Sequence, residues 1–486
     1  MTTSTVPRPT RSRPVAAHAA PITPPLPPHE RRRRAIALGL LASAQFVVML
    51  DTSIVNVALP SIQADLTLGP TGLSWVVNAY VLTFGGLLLL FGRVADLVGR
   101  RRMFTVGSAL FAVGTLVAAG AADQWTLVAG RVVQGAGAAA LSPAAMSLLM
   151  LTFPGDRRAR AMSIWGAASA VGGATGVLAG GLLAGYLGWS SVFLVTVPVS
   201  VAAVVLAHRV LDEGVRSTRR RFDVCGAITI TAAVVALVHG AVGAAEGGWA
   251  SPSAITSLAW SALLLTTFVV VERRTDDPLV PLDLFRSRVL STGVALAVLG
   301  GAARASTFVL VALYLQSALA MSPQRAGLAM VPTSLTGFVV SLTLLPRVLR
   351  TLGPRSSLVA GLVVLSAGHL WLANVPAGAG YPVAVLPGLL LVATGVALSF
   401  TPTSMVIAAA APDTYAGLAS GLAGSATQVG AALGTASFTA IALSAGSSAG
   451  APGPAGFPMA FTAAAVVALV TALLGCTIVR RWGGDG

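Results

Sequence analysis

A carboxylate stands in the first long apolar segment of the chain, where charge is not expected. Asp51 follows the run Phe-Val-Val-Met-Leu and lies eight residues before that segment ends near residue 59. A charged side chain at the centre of a membrane-spanning helix costs roughly 2.5 to 3.5 kcal/mol on insertion scales, so a retained one usually faces a polar cavity and handles ions or protons. Asp51 therefore indicates proton chemistry, provided that the segment spans a membrane.

The composition predicts that it does. The chain is 55% hydrophobic and 10% charged, and its mean hydropathy is +0.83. Apolar segments of about 20 residues, long enough to cross a hydrocarbon core of roughly 30 Å, recur along the whole length. We predict an all-α membrane protein with fourteen transmembrane helices, near residues 36–59, 72–91, 103–121, 124–151, 160–186, 189–208, 224–242, 253–271, 289–317, 325–346, 356–374, 382–410, 416–444 and 457–479.

The net charge of +15 is distributed asymmetrically. All basic residues are arginine, and all except Arg131, Arg304 and Arg325 lie in the N-terminal arm, in alternate loops or in the C-terminal tail if the amino terminus is cytoplasmic. Positive charge in cytoplasmic loops is the rule for membrane proteins. The pattern predicts that both termini are cytoplasmic, and it argues against nucleic acid as a partner.

A repeat divides the chain. The loop Arg93–Arg101 recurs as Arg347–Arg355, 254 residues later, with Arg-Val, Gly and Arg at the same spacing. Duplicated halves are typical of secondary transporters. We predict two six-helix bundles with an inserted helix pair and flanking cytoplasmic loops between them: a disordered cytoplasmic arm at 1–35, bundles at 36–211 and 289–480, the insertion at 212–288, and a cytoplasmic tail at 481–486.

Four motifs carry a family resemblance. Gly92–Arg102 resembles the loop between helices two and three of the major facilitator superfamily, and Leu127–Ala139 is similar to its fourth-helix motif. Leu50–Pro60 and Glu272–Arg288 resemble the first helix and the loop after helix eight of the fourteen-helix drug:proton antiporter branch. The resemblance implies an exporter driven by the proton gradient, without a cofactor.

Two motifs depart from the family pattern. In helix five, Val177 replaces the usual proline before a glycine pair, and the sixth-helix motif lacks its usual arginine and asparagine. Gly176, Gly180 and Gly181 remain. Small residues of this kind let helices approach closely in a membrane, so we expect them to form a helix-packing motif.

Helix geometry places two opposite charges at one depth. Asp51 lies about 12 Å and Arg131 about 10 Å from the outer ends of their spans at 1.5 Å per residue. A nearby arginine favours the ionised carboxylate, whereas desolvation favours the protonated form. We hypothesise that Asp51 couples protons to transport and that Arg131 tunes it. The alternative is a static ion pair that fixes two helices.

Arg304 lies as far into span nine as Asp51 lies into span one. With Asp51 ionised, Asp51, Arg131 and Arg304 carry a net charge of +1, which favours an anionic, zwitterionic or neutral substrate over a dication. Two alternatives stay open: Arg304 could pair with Asp51, or the span could be placed wrongly. We expect a substrate cavity lined by Arg304 and by polar side chains within spans, namely Asn56, Asn78, Gln134, Gln316 and Gln428.

The motif after span two predicts a conformational latch of Gly92, Asp96, Gly99 and Arg100. Glycines remove bulk where helices approach, and Asp96 can accept hydrogen bonds or face the positive end of a helix. Arg100 and its two neighbours are expected among lipid headgroups. The alternative is that these arginines serve topology only.

Other function classes fit the sequence poorly. Apart from Asp51, every acidic residue falls in a loop, tail or helix end, and neither paired histidines nor a metal-ligand cluster is present. We predict no catalytic residues, no metal and no enzyme activity. The expected protein is a monomeric multi-pass exporter in a bacterial plasma membrane, whose partners are protons, lipid and a small organic compound such as a drug, an antibiotic or the host's own product. A metabolite uniporter or proton symporter is the alternative, and a membrane-bound enzyme or receptor a more distant one.

Overall fold

The structure is a computed structural model that describes residues 27–213, 223–376, 378–444 and 456–482. Within these ranges all regular secondary structure is helical, and thirteen helices are long and apolar enough to cross a membrane. The prediction of an all-α, multi-pass membrane protein is confirmed.

The helices follow the predicted spans closely. They are α1 (Pro28–Asp65), α2 (Pro70–Val98), α3 (Arg100–Ala119), α4 (Gln124–Thr152), α5 (Asp156–Tyr186), α6 (Ser190–Leu194), α7 (Val197–Val210), α8 (Val224–Gly247), α9 (Pro252–Arg274), α10 (Arg288–Ser317), α11 (Pro323–Ala373), α12 (Leu386–Ala409), α13 (Ala416–Ser444) and α14 (Gly456–Trp482). A short α6 and α7 together occupy the sixth predicted span.

The first helix begins earlier than predicted. Residues 28–35 were expected to belong to a disordered arm, but α1 starts at Pro28, whose ring is compatible with the first helical turn. Glu30 and Arg34 form an ion pair one turn apart, and Arg33 contacts Asp212 at the end of α7. Residues 1–26 of the predicted arm and 483–486 of the predicted tail lie outside the described residues.

Glycines in left-handed conformation separate consecutive helices at equivalent positions of the repeat. Gly99 (φ 114) lies between α2 and α3, and Gly353 (φ 75) interrupts α11 with non-helical backbone. The predicted spans ten and eleven are therefore joined in α11 as two helical segments on either side of a kink. A residue with a Cβ strongly disfavours positive φ.

The repeat extends into the packing of helices. A Cβ added to Gly114 of α3 would lie 2.4 Å from the backbone nitrogen of Gln134, and one added to Gly368 of α11 would lie 2.8 Å from that of Val392. The two glycines are 254 residues apart, as are Arg93 and Arg347. Both halves thus pack a pair of helices backbone to backbone at the same place.

The two halves meet on the side that carries the arginine-rich loops. A Cβ on Gly92 of α2 would lie 2.5 Å from the carbonyl oxygen of Gly417 in α13, and one on Gly166 of α5 would lie 2.7 Å from the hydroxyl of Thr401 in α12. Leu345 of α11 also belongs to the apolar core of the first half. These contacts close the arginine-rich end of the molecule.

The inserted helix α8 contacts both halves, and α9 packs against α8. A Cβ on Gly86 of α2 would lie 2.5 Å from Val235 of α8. On the other side, Ala241 and Ala244 of α8 pack with Ala436 of α13. The inserted pair therefore covers the seam between α2 and α13.

We predict that Gly353→Ala lowers the free energy of unfolding by about 1–2 kcal/mol, because an L-residue disfavours positive φ. No atom lies within 4 Å of the added Cβ, so a clash contributes nothing. Thermal unfolding of the purified protein in detergent measures the change. Gly39→Ala is the control, since its Cβ also meets open space and its backbone is helical; equal destabilisation by both variants would contradict the explanation.

Candidate functional site

The structure brings the two predicted charges together. Asp51 of α1 is fully buried, the side chain of Arg131 in α4 is 2% exposed, and Arg131 Nη1 lies 2.8 Å from Asp51 Oδ2. The similar depths calculated for the two residues are what allow this contact. A carboxylate and a guanidinium in direct contact within a membrane neutralise each other.

Gln134 completes the pair. Its Nε2 donates to Asp51 Oδ1 at 2.7 Å and lies 3.0 Å from the Thr115 hydroxyl of α3, while its Oε1 accepts from Arg131 Nη1 at 2.7 Å. Arg131 Nε donates to the carbonyl of Val76 in α2 at 3.1 Å. Both carboxylate oxygens are therefore bonded, and the network joins α1, α2, α3 and α4.

Aromatic rings cover the arginine. The Tyr80 ring centroid lies 4.3 Å from Arg131 Cζ and that of Phe193 lies 5.9 Å away. A cation over an aromatic face is attracted by the ring quadrupole, and more strongly when water is excluded. The Tyr80 hydroxyl is buried without a hydrogen-bond partner among the described residues.

Protonation of Asp51 would leave Arg131 with partners. The glutamine oxygen, the Val76 carbonyl and the Tyr80 ring do not depend on the charge of Asp51. Breaking a buried ion pair is costly when it strands a charge. Here the remaining contacts of Arg131 reduce that cost.

The second half holds a different polar cluster. Arg304 of α10 is 4% exposed, and its Nη1 lies 3.5 Å from the hydroxyl of Ser399 in α12. One turn along α10, the Thr307 hydroxyl lies 2.6 Å from His369 Nε2 of α11. Among the described residues Arg304 forms no ion pair with Asp51, so the alternative that these two neutralise each other does not hold in this structure. His369 and Thr115 occupy equivalent positions of the repeat.

The other expected cavity residues are dispersed. Gln134 is buried, and both ends of its amide are hydrogen-bonded within the ion-pair network. Asn56 and Gln316 are exposed, each bonded to a carbonyl one turn earlier in its own helix. Asn78 and Gln428 are half-buried. A Cβ on Gly85 would lie 3.7 Å from Gln428, which places Gln428 at the seam between α2 and α13.

The residues of the predicted latch form one buried cluster. Asp96 accepts hydrogen bonds at 2.8 Å from the backbone nitrogens of Gly417 and Leu418, at the start of α13. Arg100 donates to Asp96 Oδ1 through Nε (3.0 Å) and Nη2 (2.8 Å), and also to the Asp413 carbonyl. Gly92 lies beside them and Gly99 ends α2.

Arg100 was expected among lipid headgroups, and that expectation is wrong. Its side chain is buried, because the turn at Gly99 directs it back onto Asp96. Arg101, in contrast, reaches Glu213 beyond the end of α7. The charge of Arg100 serves the contact between the halves.

The glycine motif of α5 lies against α1. A Cβ on Gly176 would lie 2.7 Å from Ser53 Cβ, and one on Gly180 would lie 3.0 Å from the Ile54 carbonyl oxygen. Gly181 has only an ordinary contact, whereas Gly172, one turn before Gly176, would clash with the Phe46 carbonyl oxygen at 2.5 Å. The close approach of α5 to α1 therefore depends on Gly172, Gly176 and Gly180, which follow one another at intervals of four residues.

Comparison with known proteins decides the family. Residues 41–435 match the sequence profile of the Major Facilitator Superfamily. The chain belongs to the Major Facilitator Superfamily. It is similar to the cephamycin export protein CmcT of Amycolatopsis lactamdurans, with 38% identity over 81% of this chain and 82% of that one. The puromycin resistance protein pur8 of Streptomyces alboniger is also 38% identical, over 82% of this chain and 80% of pur8.

The fold has solved counterparts in the Major Facilitator Superfamily. The crystal structure of the human organic anion transporter MFSD10 aligns with a TM-score of 0.63 and 17% identity, over 93% of this chain and all of that one. At this identity the likeness shows the fold alone. The predicted resemblance to the superfamily is confirmed.

We predict that Asp96→Ala opens the arginine-rich end of the molecule. A cavity of about 150 Å³ lies between the halves there, lined by Ser147, Met150, Leu151, Arg158, Asp413 and Ser420 among others. A single Ser420→Cys in a background with Cys225 and Cys476 replaced by serine reports access to it by thiol labelling. Labelling should accelerate by about tenfold or more, because hydrogen bonds to charged groups are worth about 1.5–3 kcal/mol.

The matched control for Asp96→Ala is Asp283→Ala. Asp283 is an exposed carboxylate on the same side, between α9 and α10, and in the described part of the chain its ion pair is with exposed Arg286. Its loss should leave labelling unchanged. Unchanged labelling in Asp96→Ala would instead mean that the motif around Asp96 and Arg100 serves only to set membrane topology.

Proposed function

We propose that this chain is a proton-driven exporter of a small organic compound of the drug or antibiotic class. The observation that carries the proposal is the Asp51–Arg131 pair, a carboxylate and a guanidinium buried in a helix bundle, in which Arg131 also has Gln134 and the Val76 carbonyl as partners. The names of the two bacterial relatives, an export protein and a resistance protein for different antibiotics, support export as the direction.

We infer that the chain crosses the membrane fourteen times, since α11 is divided at Gly353 into two segments of spanning length. The arginine-rich loops then face the cytoplasm together with both termini. The proposed location is the bacterial plasma membrane, with lipid, protons and the transported compound as partners. The protein works as a monomer, and the proton motive force takes the place of a cofactor.

In this proposal the structure is the outward-facing state. The contacts between the halves, at Gly92, Asp96 and Gly166, lie at the end assigned to the cytoplasm. A proton arriving from outside neutralises Asp51 and weakens its interaction with Arg131 of α4. Rocking of the halves then opens the cytoplasmic end, where Asp51 releases the proton and the compound binds. Antiport requires that binding of the proton and binding of the compound exclude each other, and a change of charge within one network can provide this exclusion.

A metabolite uniporter or a proton symporter is the second candidate. A uniporter has no use for a carboxylate that changes its charge, and a symporter would move its compound inward with the proton. Enzyme and receptor functions receive no support from Asp51, both of whose carboxylate oxygens are hydrogen-bonded to Arg131 and Gln134. The direction of transport separates the remaining possibilities.

Everted membrane vesicles test the proposal. Respiration acidifies the vesicle interior, so an exporter should accumulate its compound inside, and a protonophore should abolish the accumulation. Puromycin and a cephamycin are the first compounds to examine, together with neutral and zwitterionic antibiotics. Gradient-driven loss of the compound from the vesicles would overturn the proposal in favour of symport.

Asp51→Asn should separate coupling from transport. The amide keeps the size of the carboxylate but cannot exchange a proton, so gradient-driven accumulation should fall to the level of vesicles that lack the protein. Exchange of labelled for unlabelled compound without a gradient should persist. The exposed Asp283→Asn should accumulate as the parent protein does. Unimpaired accumulation in Asp51→Asn would mean that the ion pair only fixes two helices.

A further inference from the structure

Arg304 is a buried cation for which the described part of the chain supplies no counter-ion. Its Nη1 has one long contact, 3.5 Å to the Ser399 hydroxyl, and that hydroxyl already donates to the Gly395 carbonyl at 2.7 Å. Its Nε and Nη2 are buried and have no hydrogen-bond partner among the described residues. Arginine cannot discharge itself by losing its proton at any physiological pH.

The same chain neutralises a second buried arginine fully. Arg131 lies in the other half, and it has a carboxylate, a glutamine oxygen, a backbone carbonyl and an aromatic ring. Intramembrane charges are rare and mark substrate or ion pathways when they occur. The contrast indicates that Arg304 is left open for a group that comes from outside the chain.

The two unpartnered atoms define the shape of that group. Nε and Nη2 form one edge of the planar guanidinium, and the two N–H bonds on this edge run parallel. A carboxylate accepts both in the fork geometry that makes arginine–carboxylate pairs strong and specific. The third nitrogen, Nη1, faces Ser399 and Gly300 within the protein.

The surroundings suit the anionic end of a larger organic molecule. Phe308, four residues after Arg304 and on the same side of α10, is 40% exposed. Thr307 and His369 lie one turn along α10 and on the facing α11, with the Thr307 hydroxyl 2.6 Å from His369 Nε2. A compound with a carboxylate and an apolar body would find a complementary group for each part.

We propose that Arg304 binds a carboxylate of the exported compound through Nε and Nη2, with Phe308 against the apolar part. This assignment rests on the proposed export function and names its substrate class. With Asp51 paired to Arg131, the bound monoanion makes the intramembrane site neutral.

A matched pair of probes tests the assignment. Binding of 2-naphthoate and of its neutral analogue 2-naphthamide is measured on the full-length protein in nanodiscs of phosphatidylcholine. The parent protein should prefer the carboxylate. Arg304→Gln should weaken carboxylate binding by about tenfold or more, the effect expected for charge-assisted hydrogen bonds, and leave amide binding unchanged. Arg304→Lys keeps the positive charge but loses the paired N–H donors, so its affinity for the carboxylate should lie between those of the parent protein and Arg304→Gln.

The controls separate folding, anion source and export. Arg325→Gln removes an exposed arginine at the start of α11 and should bind as the parent does, and thermal unfolding of each variant verifies its fold. Excess inorganic phosphate, or nanodiscs containing phosphatidylglycerol, should not displace the naphthoate. Displacement by either one that depends on Arg304 would overturn the assignment to an organic carboxylate, as would equal binding of the two probes by the parent.

The export function is tested separately from the carboxylate site. Vesicles that carry the parent protein should accumulate a neutral compound when the gradient is present, as should vesicles that carry Arg325→Gln, which lies outside the proposed site. If the parent protein accumulates the neutral compound and Arg304→Gln loses its preference for the carboxylate, both the export function and the carboxylate site are supported. Gradient-driven accumulation by the parent protein together with unchanged naphthoate binding in Arg304→Gln would overturn the carboxylate site alone.

Discussion

The contact between Asp51 and Arg131 is the constraint on which the first half of the molecule depends. Either charge alone is costly at that depth, so their contact favours one register and one distance between α1 and α4. Gln134, Thr115 and the Val76 carbonyl extend this requirement to α2 and α3. The four helices are held by polar bonds in surroundings where apolar side chains gain little from contact with one another rather than with lipid.

Glycine makes the required distances possible. Backbones approach so closely at Gly114 and Gly137 that a Cβ would lie 2.4 Å and 2.3 Å from atoms of the facing helix. Gly172 and Gly176 do the same between α1 and α5. The polar network and the glycines are complementary: glycine sets how near the helices lie, and hydrogen bonds set which residues face each other.

Much of this was predictable from sequence because hydrophobic length and arginine position are strong signals in membrane proteins. The positions of Asp51 and Arg131 along their helices predicted that the two charges lie at the same depth. The sequence did not show how each helix is rotated about its own axis, and this rotation decides which way a side chain points. Gln134 was therefore expected in a cavity and Arg100 at the lipid surface. The aromatic cover from Tyr80 depends on α2 packing across α4, and no local pattern in the sequence indicates it.

The latch at Asp96 is asymmetric between the halves. One half supplies a specific carboxylate and a specific arginine, whereas α13 supplies only the backbone nitrogens of Gly417 and Leu418. At the equivalent place in the second half stands Arg350, which is exposed. A Cβ at Gly417 would lie 2.4 Å from the Gly92 carbonyl oxygen, so the second half must supply a glycine there, whereas the first half must supply the carboxylate and the arginine. The two copies of the repeat therefore meet different chemical requirements at one shared contact.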